Sequence, residues 1–186
     1  MMNVKGRTIL LADATVNVYP DSRTLAEIAV QTAKVARRFG VDPKVAMLSF
    51  SNFGSSRAQR SERIEDAIHI ARELDPSLIV DGPMQGDTAL NGAVQGEYEF
   101  MAFEGPANVL VLPNLAAANI AYKLLEELGD AEMTGPILEG MRKPVQLVAR
   151  QDGVRHIVNM AAICAADSIR QDSYWESLIT PYVEEE

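Results

Sequence analysis

Short apolar runs alternate along the chain with longer stretches in which apolar residues recur every three or four positions. "TILLADATVNV" (Thr8 to Val18) predicts a strand entering a polar end. Pro20 and Asp21-Ser22 then open a helix to about Phe39, with Leu25, Ile28, Ala29, Thr32, Val35, Ala36 and Phe39 on one face. Thr24 and Glu27 have capping-box spacing, with Asp21 and Ser22 as competing caps. Gly40 suits the left-handed position that closes a helix. The pattern returns as strand "KVAMLSF", a helix from about Arg60 to Leu74, strand "LIVDG" and a shorter helix from Asp87 to Gln95. Strand "NVLVLP", helix Leu115 to Leu128 closed by Gly129, strand "PVQLVA" and helix Val154 to Ile169 follow. "SYWESLITPYV" predicts a short final helix whose Trp175 packs on the body.

Helices alternating with near-continuous apolar strands indicate a layered α/β fold with a largely parallel sheet and flanking helices. In such sheets ligands gather beyond the carboxyl ends of the strands. Those ends carry "ADATVN", "SFSNFGSS", "DGPMQGD", "PNLAAAN" and "ARQDGVRH". "GEYEFMAFEGPAN" (Gly96 to Asn108) reads as a mobile connection or an inter-lobe edge.

The 186 residues suffice for one well-cored domain or two small lobes. A net charge of −9 with no basic cluster argues against a nucleic-acid partner. No apolar run is long enough to span a bilayer, and the start lacks a secretory pattern, so a cytoplasmic location is expected. The single cysteine, Cys164, excludes disulfides within the chain and reads as plain core.

An anionic ligand would require locally placed donors. Ser49, Ser51, Asn52, Gly54, Ser55 and Ser56 form either a cradle of N–H and hydroxyl groups or a structural turn. The loop lacks the Walker spacing and the dinucleotide GxGxxG. Asp81 and Asp87 flank a Gly/Pro turn as a carboxylate pair for acid–base or metal chemistry, or as a strand end and a helix cap. No resident metal is expected, because His69 sits on a charged helix face and no His/Cys ligand spacing occurs. Arg150 ends a strand and suits a phosphate clamp. His156, beside Arg155 at a helix start, reads as a structural or a catalytic histidine.

"AMLSFSNFGSS", "VDGPMQGDTAL", "GPANVLVLPNLAAANIAYKLLEELGDAEMTGPILEGMRKPV" and "IVNMAAICA" together resemble the phosphate acetyltransferase (phosphotransacetylase) family. The resemblance runs from about Leu11 to Ala166 and covers the later half of that family's fold. Its wording is closest to the phosphotransacetylase-like domain at the C-terminus of hybrid NADP-dependent malic enzymes. It implies a two-lobed architecture like that of isocitrate and isopropylmalate dehydrogenases, with a ligand cleft between the lobes. On this reading, about 8–135 form an inserted lobe, about 136–170 a strand and helix completing the other lobe, and 171–186 a tail. "MMNVKG" reads as an artificial or alternative start to a C-terminal piece of a hybrid malic enzyme.

Family members, the resemblance implies, form acetyl-CoA from acetyl phosphate and CoA. An aspartate takes the thiol proton, and an arginine holds the phosphate beside a serine. The arginine falls on Arg150, the serine position on Ala149 and the aspartate position on His156. Where the family has Thr-Lys-Gly, this chain has Asn52, Phe53 and Gly54; Gly86 replaces an aromatic residue. Ala149 cannot donate to an oxyanion, a loss that typically costs ~10²–10³ in rate. Phe53 removes a positive charge near the expected phosphate. A histidine with a pKa of about 6.5 remains a conceivable base for a thiol with a pKa of about 8.5.

The expectation is therefore a receptor for acetyl-CoA or CoA in which Arg150, Ser51, Asn52, Gly54, Ser55 and His156 hold the ligand and Asp81 and Asp87 shape the cleft. Such a domain would inhibit oxidative decarboxylation of malate and drive homo-oligomerisation. NADP and a divalent metal would belong to the malic enzyme domain of the same polypeptide. An active phosphate acetyltransferase and a purely structural dimerisation module stand as alternatives.

Overall fold

The computed structural model describes residues 1–55, 59–129 and 131–179. The chain divides into two compact units, Met1–Met133 and Thr134–Glu186.

The first unit is built on a six-stranded sheet. Its strands are β1 (Met2–Val4), β2 (Arg7–Ala12), β3 (Lys44–Leu48), β4 (Ile79–Met84), β5 (Val109–Val111) and β6 (Glu132–Met133), in spatial order β4-β3-β5-β2-β1-β6. Pairings among β4, β3, β5 and β2 are parallel, as the apolar runs predict. The far edge is antiparallel, because β1 pairs with both β2 and β6. A two-residue turn makes this edge: Lys5 (φ 51°) and Gly6 (φ 73°) are both left-handed, the geometry that matches the twist of a tight hairpin. Within "MMNVKG", Met2–Val4 is thus a strand of this edge with Met2 buried, and Lys5-Gly6 is its turn.

The helices of this unit are α1 (Ser22–Arg38), α2 (Gln59–Leu74), α3 (Gly86–Leu90), α4 (Gly92–Gln95) and α5 (Leu115–Leu128). Asp21 settles the choice of cap for α1, its Oδ1 accepting from the Thr24 N–H at 2.7 Å. At the other end the Gly40 N–H donates to the Arg37 carbonyl and the Val41 N–H to that of Ala36. Gly40 at φ 72° allows this closure, as the sequence indicates. The buried face of α1 is richer in small residues than the helical spacing suggested: Leu25, Ala26, Ala29, Val30, Ala33, Val35 and Ala36 are buried, while Phe39 is exposed. Alanines let this helix lie close to the sheet. The single helix expected over Asp87–Gln95 is two, because Asn91 adopts extended backbone between them and caps the second through Ala93.

The core gathers Val45, Met47, Val80, Met84, Val109 and Val111 from the parallel strands, all essentially sealed from solvent. β3 and β4 approach closely at Gly82, where a Cβ would lie 2.6 Å from the Met47 carbonyl oxygen. At φ 137° that position also favours glycine on backbone grounds. The register slips there, with Ala46 opposite Asp81 but Leu48 opposite Met84, so the extra residue on β4 turns the following loop outward.

The second unit contains α6 (Val154–Ile179) and an irregular segment before it. Two expectations change. "PVQLVA" forms no ladder with any described residue, for a strand needs a sheet beside it and this unit supplies none. The helix predicted to end at Ile169 runs on to Ile179, absorbing most of "SYWESLITPYV". The Trp175 side chain and residues 180–186 lie outside the described part.

Candidate functional site

The carboxyl ends of β3 and β4 carry two loops that are stitched together. The Ser49 N–H donates to the Met84 carbonyl at 2.8 Å and the Phe53 N–H to that of Pro83 at 2.6 Å. Side chains complete the seam. Asn52 Oδ1 accepts from the Gln85 N–H at 2.7 Å, and its Nδ2 donates to Gln85 Oε1 and to the Tyr98 hydroxyl, both at 3.2 Å. Gln85 Nε2 reaches back to the Phe50 carbonyl at 2.9 Å. Asn52 is therefore engaged on both sides of its amide by protein groups. Its place is at the expected loop, but its hydrogen bonds hold that loop's shape.

Phe53 and Gly54 both have positive φ, 46° and 72°, which turns the chain back on itself. Ser55 N–H bonds to the Asn52 carbonyl, whereas the amides of Ser51, Asn52 and Gly54 have no protein acceptor among the described residues. Those are the donors the loop still offers. Ser51 Oγ is buried and without a partner among the described residues, Gly54 and Ser55 are exposed, and Ser56 lies outside the described residues. The Phe53 ring is held by Tyr98 and Phe100, with centroids 5.0 and 4.8 Å away. "GEYEFMAF" is consequently an aromatic brace for the glycine loop. That role is invisible in sequence because it depends on a contact between residues about 45 positions apart.

The two aspartates have different partners. Asp81 is buried and accepts from the Gly82 N–H at 2.9 Å and the Ala102 N–H at 2.7 Å, with Arg72 Nη2 3.7 Å away. It anchors the bracing segment. Asp87 sits in the first turn of α3 and accepts from the Thr88 N–H; the cap position itself belongs to Gln85. Among the described residues, no three or more His, Cys, Asp and Glu side chains gather as a metal site would require.

Neighbouring strand ends are organised in the same manner. Asp13, just beyond β2, accepts from the N–H groups of Thr15, Val16 and Asn17 and from the Asn17 side chain, at 2.7 to 3.0 Å. Burial pushes its pKa upward, but these donors outweigh that effect and hold the carboxyl below its usual range. Arg63 of α2 donates to the Pro20 carbonyl at 2.7 Å and that of Pro113 at 2.9 Å, tying the loops after β2 and β5.

Ala149, Arg150 and His156 belong to the second unit. Arg150 is exposed. Asp152, which sequence reasoning passed over, accepts from the Ala149 N–H at 2.6 Å and lies 3.5 Å from His156 Nε2. The signal for it was the four-residue spacing to His156 at a helix start. The outer nitrogen of this imidazole faces a carboxylate of its own unit.

The profile of the phosphate acetyl/butaryl transferase family matches residues 1–165. The chain belongs to that family. It is 41% identical over 161 residues to the phosphate acetyltransferase of Bacillus subtilis, a match covering 86% of this chain and 50% of that one. It is also 42% identical over 163 residues to the NADP-dependent malic enzyme of Escherichia coli, covering 87% of this chain and 22% of that protein. Among solved structures, a phosphotransacetylase from Streptococcus pyogenes superposes with a TM-score of 0.86 at 39% identity, covering 91% of this chain and 53% of that one. The chain thus spans about half the length of the Bacillus subtilis and Streptococcus pyogenes relatives, and the α/β class expected from its strand pattern is the one found here. Among the described residues, no helix is long and apolar enough to cross a membrane.

Proposed function

We propose that this phosphotransacetylase-like domain binds acetyl-CoA or CoA as a regulatory signal and turns it over poorly, within a polypeptide that also carries a malic enzyme domain. The observation that carries the reading is the state of the expected acid–base position. His156 stands where the family resemblance places an aspartate, and its Nε2 is 3.5 Å from Asp152. Ala149, in the expected serine position, has only its backbone N–H to offer, and that N–H bonds Asp152. Arg150 retains a guanidinium for an anionic group, and Ser51, Gly54 and Ser55 line the loop that supplies amide donors. Relatives named NADP-dependent malic enzyme, matched over about a fifth of their length, support the association with malate oxidation. In that setting NADP and metal belong to the malic enzyme part, and the ligand would restrain malate decarboxylation and strengthen self-association.

An active phosphate acetyltransferase is the second reading, favoured by the 41% identity to the Bacillus subtilis enzyme. Turnover separates the two. The chain is fused behind the half of that enzyme which it does not match, and CoA consumption is followed with acetyl phosphate. The proposal expects little turnover, and a gain of at least about 100-fold with Ala149→Ser and His156→Asp together, since each replaced group acts in the transition state. Fast turnover in the unaltered fusion, lost in His156→Asn, would establish the transferase instead.

A further inference from the structure

The loop after β3 leaves hydrogen-bond donors unmatched, and a carboxylate of α2 stands unmatched beside it. The N–H groups of Ser51, Asn52 and Gly54 have no protein acceptor among the described residues, and Ser51 Oγ is buried without a partner there. At the turn of the loop, a Cβ placed on Gly54 would lie 3.2 Å from Glu65 Oε1, so the carboxylate rests against the glycine itself. Glu65 is half-buried, and among the described residues no hydrogen bond or ion pair engages it. Its place is set by its neighbours on α2. Ile64, Ala67 and Ile68 are buried, which fixes the rotation of the helix. The Arg63 guanidinium is committed to the Pro20 and Pro113 carbonyls, 2.7 and 2.9 Å away.

A phosphate held by this loop would meet that carboxylate. Two like charges about 5 Å apart repel enough to lower affinity several-fold even in partly solvated surroundings. The net charge of −9 gives no general field to offset it. Free N–H donors beside a free carboxylate match instead a group that accepts and donates at adjacent atoms. A secondary amide is such a group, its carbonyl accepting from a loop N–H and its own N–H donating to the carboxylate in a charge-assisted bond. We infer that Glu65 is a specificity-determining residue of the glycine loop, turning away compact phosphate and accepting from the N–H of a ligand amide such as those in the pantetheine arm of CoA. The choice of amide rests on the ligand reading above; the exclusion of phosphate does not.

Glu65→Gln tests it, because the substitution keeps the size of the side chain and removes its charge. In the 186-residue chain, inorganic phosphate is titrated while the amide NMR shifts of residues 49–55 are followed. In the fusion already described, acetyl-CoA is titrated by calorimetry. The substitution should tighten phosphate at least about fivefold and weaken acetyl-CoA at least about threefold. Tm should stay within about 2 °C of the unaltered chain, since the carboxylate bonds nothing in the fold; a larger loss would show it holding the loop together and overturn the inference. Phosphate affinity unchanged within about twofold, or no phosphate binding by Glu65→Gln at all, would overturn it as well. So would acetyl-CoA tightening together with phosphate, the sign of a general charge effect with no amide recognised. Should the unaltered fusion bind no acetyl-CoA, the ligand reading falls, and the phosphate titration alone decides whether Glu65 excludes that anion.

Discussion

At the residue scale, Asp13 and Gly82 are two positions on which the strand ends depend. Asp13 gathers three backbone N–H groups and one amide, so Asp13→Asn should lower stability by about 1–2 kcal/mol at pH 7, measured by urea unfolding. Because the folded-state pKa is depressed, this contribution is fully present above the unfolded value of 3.8 and disappears as pH falls through the folded value. The gap between the two proteins should therefore close in acid. Gly82→Ala places a methyl 2.6 Å from the Met47 carbonyl oxygen at φ 137°, with a loss of about 3 kcal/mol or more expected in the same measurement. A loss under about 1 kcal/mol would show that β3 and β4 can separate there without cost.

At the element scale, the glycine loop after β3 is held by its neighbour after β4. Asn52→Ala removes the bonds to Gln85 and Tyr98 together, and the amides of residues 49–55 should exchange faster while those of β5 are unaffected. Unchanged exchange in the loop would assign its order to the backbone bonds of Ser49 and Phe53 and to the aromatic brace of Phe53, Tyr98 and Phe100. Elements with local signals were legible in the sequence. α1 was, through Asp21, its apolar spacing and Gly40, and so were the parallel strands through their apolar runs. Non-local features were not. The bonds of the Asn52 side chain to Gln85 and Tyr98, some 33 and 46 residues away, leave no local signal in the sequence. The antiparallel edge was missed because "MNV" is too short to show a period, and the turn that pairs it uses Lys5 in a left-handed conformation. "PVQLVA" was read as a strand from its composition, but pairing is decided by what lies alongside.

At the scale of the whole molecule, the family is shown by a match over residues 1–165, and the ligand remains a proposal. The chain carries a net charge of −9, so an anionic ligand depends on a few local donors rather than on the general field. Arg150 is the donor whose part in the proposal is tested most directly. The most direct measurement is a calorimetric titration of acetyl-CoA into the fusion protein, with and without Arg150→Ala. The account predicts saturable binding, weakened at least about tenfold by the substitution, as expected when a charged hydrogen-bond donor is removed. Binding of equal strength in both proteins, or none in the unaltered one, would contradict it.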